Sequence, residues 1–265
     1  MSGLKFAFRT LFRTPFVTIV AIVSLALGIG ANAAIFSCFN QMLLQALAVP
    51  RPAELVNLGA PGPKPGSQSC NQAGDCDQVF TYAMFRDLQK MQTVFTGVAA
   101  HRIVGANLSF QGQTLNGQAM LVSGNYFQVL QLHPALGRLF DSTDDRLVGE
   151  APVVVLSHAY WTTRFAADPG VLNKGLIVNG LTLTVVGVAP RGFDGTTLGA
   201  KPEVYVPVTL RGAMFRWNGW ANRQNYWMYL FARLRPVCRS RPHAPRSTRN
   251  TTLSSTTSRR RCRKA

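Results

Sequence analysis

The sequence predicts an α+β protein: one N-terminal transmembrane helix, a mixed α/β domain outside the cytoplasm, and a disordered basic C-terminal tail. Three observations carry this. No Asp, Glu, Lys, Arg or His stands between Pro15 and Pro50, and about 20 apolar residues suffice for a helix to cross a bilayer. Short Val, Ile and Leu runs bounded by Gly, Asn and Pro then alternate with capped helical stretches. Residues 238–265 hold nine basic residues, no acid, no aromatic and a single Leu, Leu253, which is too little to build a core.

Along the chain this gives a cytoplasmic amphipathic segment at 1–14, a transmembrane helix and stalk at 15–49, a core domain at 50–237 and the tail at 238–265. In the first segment Leu4, Phe8, Leu11 and Phe12 share one helical face and Lys5, Arg9 and Arg13 another, as suits a helix lying on the inner membrane surface. Those cations have no counterpart just after the span, so the N-terminus stays inside and residues after about 50 lie outside. The competing reading is a cleaved signal peptide, because Ala31-Asn32-Ala33 has the small-x-small form of a cleavage site. The long apolar run before it favours a retained anchor.

Gly28-Ile29-Gly30-Ala31-Asn32-Ala33 matches a dinucleotide-binding GxGxxA, with Glu54 as the following acid, so a nucleotide-dependent oxidoreductase is one alternative function. That chemistry needs the glycines at a turn between a short strand and a helix, and the apolar run before them is too long for one strand. Small residues such as Gly28, Gly30 and Ala34 also let transmembrane helices pack closely.

In the domain, Glu54–Leu58 reads as a strand, and 59–78 as a loop. Thr81 caps a helix running to Phe95, with Tyr82, Phe85, Leu88, Met91 and Phe95 as its apolar stripe. Strands follow at 98–104, 107–111 and 115–122, broken by glycine turns, with a short helix at 125–132. Val153–Leu156 is a buried strand and Ser157–Ala166 a helix. Strands 176–178 and 181–188 form a hairpin across Asn179-Gly180, the preferred two-residue turn. Val204–Val208 and Tyr226–Leu234 complete the set.

The composition narrows function by exclusion. With 47% hydrophobic residues and only 5 Cys in 265 residues, neither a disordered chain nor a disulfide-framed miniprotein fits. The net charge of +17 falls to +5 over residues 51–237, unlike a nucleic-acid module with its cations on one folded face. Phe215, Trp217, Trp220, Tyr226, Trp227 and Tyr229 interleave with Arg211, Arg216, Arg223 and Arg233 as in single-strand binders, or as in a loop packing on a terminal strand. No nucleic acid is expected as partner. No GxxxxGK[ST] phosphate loop occurs, the four His lack metal-ligand spacing, and no cofactor is expected. Asp141, Asp144, Asp145 and Glu150 lack a calcium-loop order and read as a solvated, helix-capping turn.

Several segments in order carry a resemblance: LALGIGANAAIF; Val122-Ser123-Gly124-Asn125-Tyr126-Phe127; Pro134 to Phe140; Leu156-Ser157-His158 with Trp161, Arg164 and Phe165; and Val178-Asn179-Gly180 with Thr184 to Val188. Over residues 1–237 the chain resembles the MacB-like periplasmic core region of FtsX-like ABC transporter permeases, nearest to the bacterial orphan permeases. The resemblance implies a periplasmic α+β domain in the bacterial inner membrane, no enzyme of its own, and work in export or mechanotransmission. An ABC ATPase subunit and a permease homo-oligomer are its implied partners. Family members continue past Arg233-Leu234-Arg235-Pro236 into three more transmembrane helices, so the Arg- and Ser-rich tail is expected to mark truncation or a shifted reading frame. A chain of this kind is expected alone to transport nothing, hydrolyse no nucleotide and retain no ATPase. The alternative is a membrane-tethered binding module. Cys70 and Cys76 flank five loop residues in a compartment that permits a disulfide; they are either bonded or two free thiols.

Overall fold

The computed structural model describes residues 15–39 and 47–235. The expected amphipathic segment, part of the stalk and the basic tail lie outside the described residues. Helix α1, Pro15–Phe39, is continuous through Gly28 and Gly30. Its Thr18–Ser37 stretch is long and apolar enough to span a membrane, and none of its residues is buried in the chain.

After a 3-10 turn at Pro52–Glu54 come β1 (Leu55–Asn57), β2 (Ser67–Gln68), β3 (Val79–Phe80) and α2 (Tyr82–Met91). Thr81 caps α2, its Oγ1 accepting from the Met84 amide. The helix stops four residues short of the expected Phe95, because Gln92 is already extended and its side chain accepts from the Phe95 amide. Phe95 instead opens β4 (Phe95–Phe110), which runs unbroken through Gly97 and Gly105 to meet β5 (Gln113–Val122). The break expected at Gly105 is absent, whereas the one before 115 is present: Gln111 and Gly112 adopt positive φ and make the turn.

Next come α3 (Tyr126–Leu130), β6 (Leu136–Gly137), β7 (Val153–Leu156) and α4 (His158–Phe165). Ser157 caps α4 through its Oγ, and Ala166 closes it in the left-handed region. β8 (Gly175–Val178) and β9 (Leu181–Val188) form the expected hairpin, with Asn179 at φ 49° and Gly180 at 81°. β10 (Val204–Pro207), α5 (Arg211–Phe215), β11 (Asn225–Tyr226) and β12 (Met228–Leu234) complete the chain. The expected last strand is interrupted at Trp227, and the 59–78 loop contributes β2, which pairs with β11.

Strands β4, β5, β10, β7, β9 and β8 each pair with the next, and β8 pairs back with β4, closing a six-stranded ring. Its interior holds Leu108, Leu121, Leu156, Val178, Leu183 and Val206. β12 joins the other half of the same β4 edge, and β1 and β3 join β12. A second core on the opposite face gathers Tyr126, Phe127, Phe140, Phe193 and Tyr205. Burial of these apolar faces at about 25 cal/mol per Å² is the main term holding the domain together.

Candidate functional site

The best-defined polar assembly stands where the chain that follows α1 meets the last strand. β1 pairs antiparallel with β12, Leu55 opposite Arg233. The Arg233 side chain is 2% exposed, yet every nitrogen is used. Nε donates to the Val129 carbonyl at 2.6 Å, Nη2 to the Leu130 carbonyl at 3.3 Å, and Nη1 to the Arg51 carbonyl at 3.2 Å and Glu54 Oε2 at 3.1 Å. The last carbonyls of α3, which have no acceptor role within the helix, are thereby satisfied. Arg51 pairs with the other Glu54 oxygen at 3.3 Å and donates to Gln131 Oε1 at 2.8 Å. One buried guanidinium thus clasps the incoming segment, the outgoing strand and α3. A cavity of about 190 Å³ lined by Thr96, Gln128 and Gln131 adjoins it.

The 141–145 turn is a second charged cluster. Asp144 and Asp145 are 6% and 4% exposed, which overturns the solvated, helix-capping turn expected of them. Arg138 forks onto both Asp144 oxygens at 2.6 and 2.8 Å. Asp145 Oδ2 accepts from the Gly124 amide at 3.2 Å, with Arg86 Nη1 at 3.9 Å. Asp145 Oδ1 and Thr209 Oγ1 are buried without a hydrogen bond. Burial raises the Asp145 pKa to about 6, opposed by the Gly124 amide, Arg86 and, last, the neighbouring Thr209 hydroxyl. A Cβ on Gly124 would stand 2.3 Å from the Asp141 carbonyl, so that position accepts only glycine without movement of the turn.

The remaining candidates resolve individually. Gly28, Gly30 and Ala34 lie within α1 and are exposed in the chain. Because Gly28 to Ala33 are helical, the strand-turn-helix of a nucleotide site is not formed, and the oxidoreductase alternative falls. Cys70 and Cys76 lie side by side, with Cα atoms 5.2 Å apart, inside the range a disulfide needs. The segment around them is also held without the bond: the Tyr229 hydroxyl accepts from the Asn71 amide at 2.8 Å and lies 2.8 Å from the Gly74 carbonyl, and Arg102 reaches Ser69 and the Trp227 carbonyl. Arg211 lies between Trp217 and Trp227, 3.9 Å from each ring centre, and Trp220 packs on Trp217 and Tyr82. These rings are spent on internal packing. His101, among Tyr126, Tyr229 and Phe231, has its pKa lowered by burial to about 4. Among the described residues no group of three or more His, Cys, Asp or Glu could hold a metal.

A family model described as MacB-like periplasmic core domain matches residues 18–240. The chain belongs to that family. It is a MacB-like periplasmic domain of an ABC-type transporter permease, a family of permease domains and not a known enzyme class. No curated protein matches it. Among solved structures, the MacB-like domain is similar to the periplasmic region of MacB from Actinobacillus actinomycetemcomitans at 19% identity, covering 62% of this chain and 68% of that one with a TM-score of 0.48. It is also similar to the extracellular domain of the noncanonic ABC-type transporter YknZ from Gram-positive bacteria, at 17% identity, 69% and 84% coverage and a TM-score of 0.49. A domain of a putative permease protein from Porphyromonas gingivalis matches at 15%, covering 60% and 70%, with a TM-score of 0.42.

The Arg233 clasp of the MacB-like domain escaped the sequence reading, since its partners lie 103 to 182 positions away. The one local signal was an Arg in an otherwise apolar terminal strand.

Proposed function

We propose that this chain is the force-transmitting ectodomain of an ABC permease subunit in the bacterial inner membrane. Its N-terminus is cytoplasmic, residues after about 50 are periplasmic, and α1 packs through Gly28, Gly30 and Ala34 against neighbouring helices. An ABC ATPase drives the cycle, a second permease copy completes the assembly, and the domain serves export or mechanotransmission. The chain itself turns over no nucleotide.

The observation that supports this reading is the clasp. A displacement of the segment downstream of α1 acts on Arg51 and Glu54, and through Arg233 it reaches β12 and α3 together. A buried charge held by four acceptors resists sliding, because each lost contact leaves a desolvated polar group.

The test has two parts. In a background whose native cysteines are serine, a membrane-impermeant maleimide should label a cysteine at Lys90 in intact spheroplasts and miss one at Ser2; the reverse pattern overturns the orientation. In a full-length permease that carries this domain and is assembled with an ATPase, Glu54→Gln should leave ATP hydrolysis intact while transport falls about tenfold, since a charge-assisted contact is worth roughly 1.5 to 3 kcal/mol. Undiminished transport overturns the coupling role.

A further inference from the structure

The β4 edge contains a gap. β12 covers it up to His101, opposite Tyr229, and β8 covers it from Leu108, opposite Val178. In an antiparallel strand alternate residues send both backbone groups to the same side. Gln118, opposite Gly105, turns both backbone groups to β5's far side, its carbonyl accepting from the Glu203 amide and its amide donating to Glu203 Oε2, so Gly105 directs its own N–H and C=O toward the gap. On that side the Ile103 carbonyl accepts from Asn71 Nδ2, and the Asn107 amide and carbonyl bond to Asn179. Gly105 alone keeps an N–H and a C=O pair with no protein partner among the described residues. It opens into a cavity of about 540 Å³ lined by Asn107, Asn116, Asn179, Met214 and Phe215. The Phe215 side chain is 42% exposed, and no charged side chain lines the space.

We propose that this gap binds an extended, uncharged peptide by strand addition. One peptide residue exchanges both backbone hydrogen bonds with Gly105, completing the ladder between β12 and β8. Its flanking residues turn apolar side chains toward Met214 and Phe215, because these two line the space together with Ala106, whose side chain falls on the same face as those of the flanking residues. The uncovered stretch, residues 102–107, spans roughly 20 Å, which limits the bound segment to three to five residues. The uncharged lining matches an uncharged ligand, since a charge brought there is desolvated without a partner. A saccharide could use the Asn carboxamides, but its hydroxyls carry no spacing that matches a ladder step.

The experiment uses the full chain in detergent micelles, labelled with ¹⁵N-glycine, and the capped pentapeptide acetyl-Thr-Leu-Thr-Leu-Thr-amide. The Gly105 amide resonance should shift saturably. N-methylation of the central Thr, which removes one ladder donor and leaves the protein untouched, should weaken binding about fivefold, and Phe215→Ala about tenfold. Equal affinity for the N-methylated peptide, no saturation at millimolar peptide, or saturation by maltotriose in place of the peptide would overturn the proposal.

Discussion

The clasp around Arg233 and the turn around Asp145 are both buried charges, and they are built to opposite standards. Arg233 has an acceptor for each nitrogen and a carboxylate at 3.1 Å. Asp145 has one amide donor, a guanidinium at 3.9 Å and an oxygen with no hydrogen bond. A fully partnered charge holds its protonation state and its geometry, whereas a partly partnered one gives way by taking up a proton. The first suits a mechanical joint. The second changes its own charge with the pH around it.

Breaking the clasp should have the largest effect. Arg233→Met leaves the Val129, Leu130 and Arg51 carbonyls without their donor and Glu54 with Arg51 alone, and unfolding of the chain in urea should show a loss of about 3 to 5 kcal/mol. Arg233→Lys should recover only part of it, since one ammonium cannot reach three sides. A loss under about 1 kcal/mol for Arg233→Met would erase the contrast between the two clusters.

The pH dependence sharpens the contrast, and its sign follows from two groups. Asp145 has a folded pKa of about 6, above its ordinary 3.8. The folded state therefore takes up that proton first, and stability from this group rises as pH falls from about 6 to 4. His101 has a folded pKa of about 4, below 6.5. There the unfolded state takes the proton first, so its contribution is present above pH 6.5 and lost as pH falls toward 4. Each amounts to about 3 kcal/mol in opposite directions, so these two nearly cancel in the wild type. Asp145→Asn should expose the His101 slope, with stability falling on acidification, and His101→Gln should expose the reverse. Parallel slopes in the two variants would refute the assignment.

The smallest expected effect belongs to Cys70 and Cys76, which we propose are bonded in the oxidised protein. Closing so short a loop restricts the unfolded chain by about 2 kcal/mol. Cys76→Ser should lower stability by no more than that, because Tyr229 and Arg102 hold the same segment without it. Mass spectrometry that finds both thiols alkylated before reduction would defeat the bond.

What could be read from the sequence depended on how local its cause was. The Asn179-Gly180 hairpin and the Thr81 cap of α2 were legible because their requirements sit within four residues: two positive φ values, one hydroxyl beside an orphan amide. Phe95 was misplaced because its spacing from Met91 continues a helical stripe, and nothing periodic marks that the Gln92 side chain ends the helix. Gly105 was taken for a turn residue when its backbone is an ordinary strand. The burial of Asp144 and Asp145 was illegible for a different reason. Arg86, Gly124 and Thr209 lie 21 to 64 positions from Asp145, and only the assembled fold brings them together.

The pairing of β1 with β12 also has a consequence in time. Leu55 and Arg233 are partners separated by nearly the whole domain, and β12 also completes the β4 edge at Ala99 and His101. During synthesis at about 5 to 20 residues per second, β4 emerges on the order of ten seconds before β12 can reach it. For that interval a long strand waits with one edge bare, and bare edges pair with whatever strand is near. Chains interrupted before Leu234 would keep that edge open, so aggregation of such fragments should begin at β4.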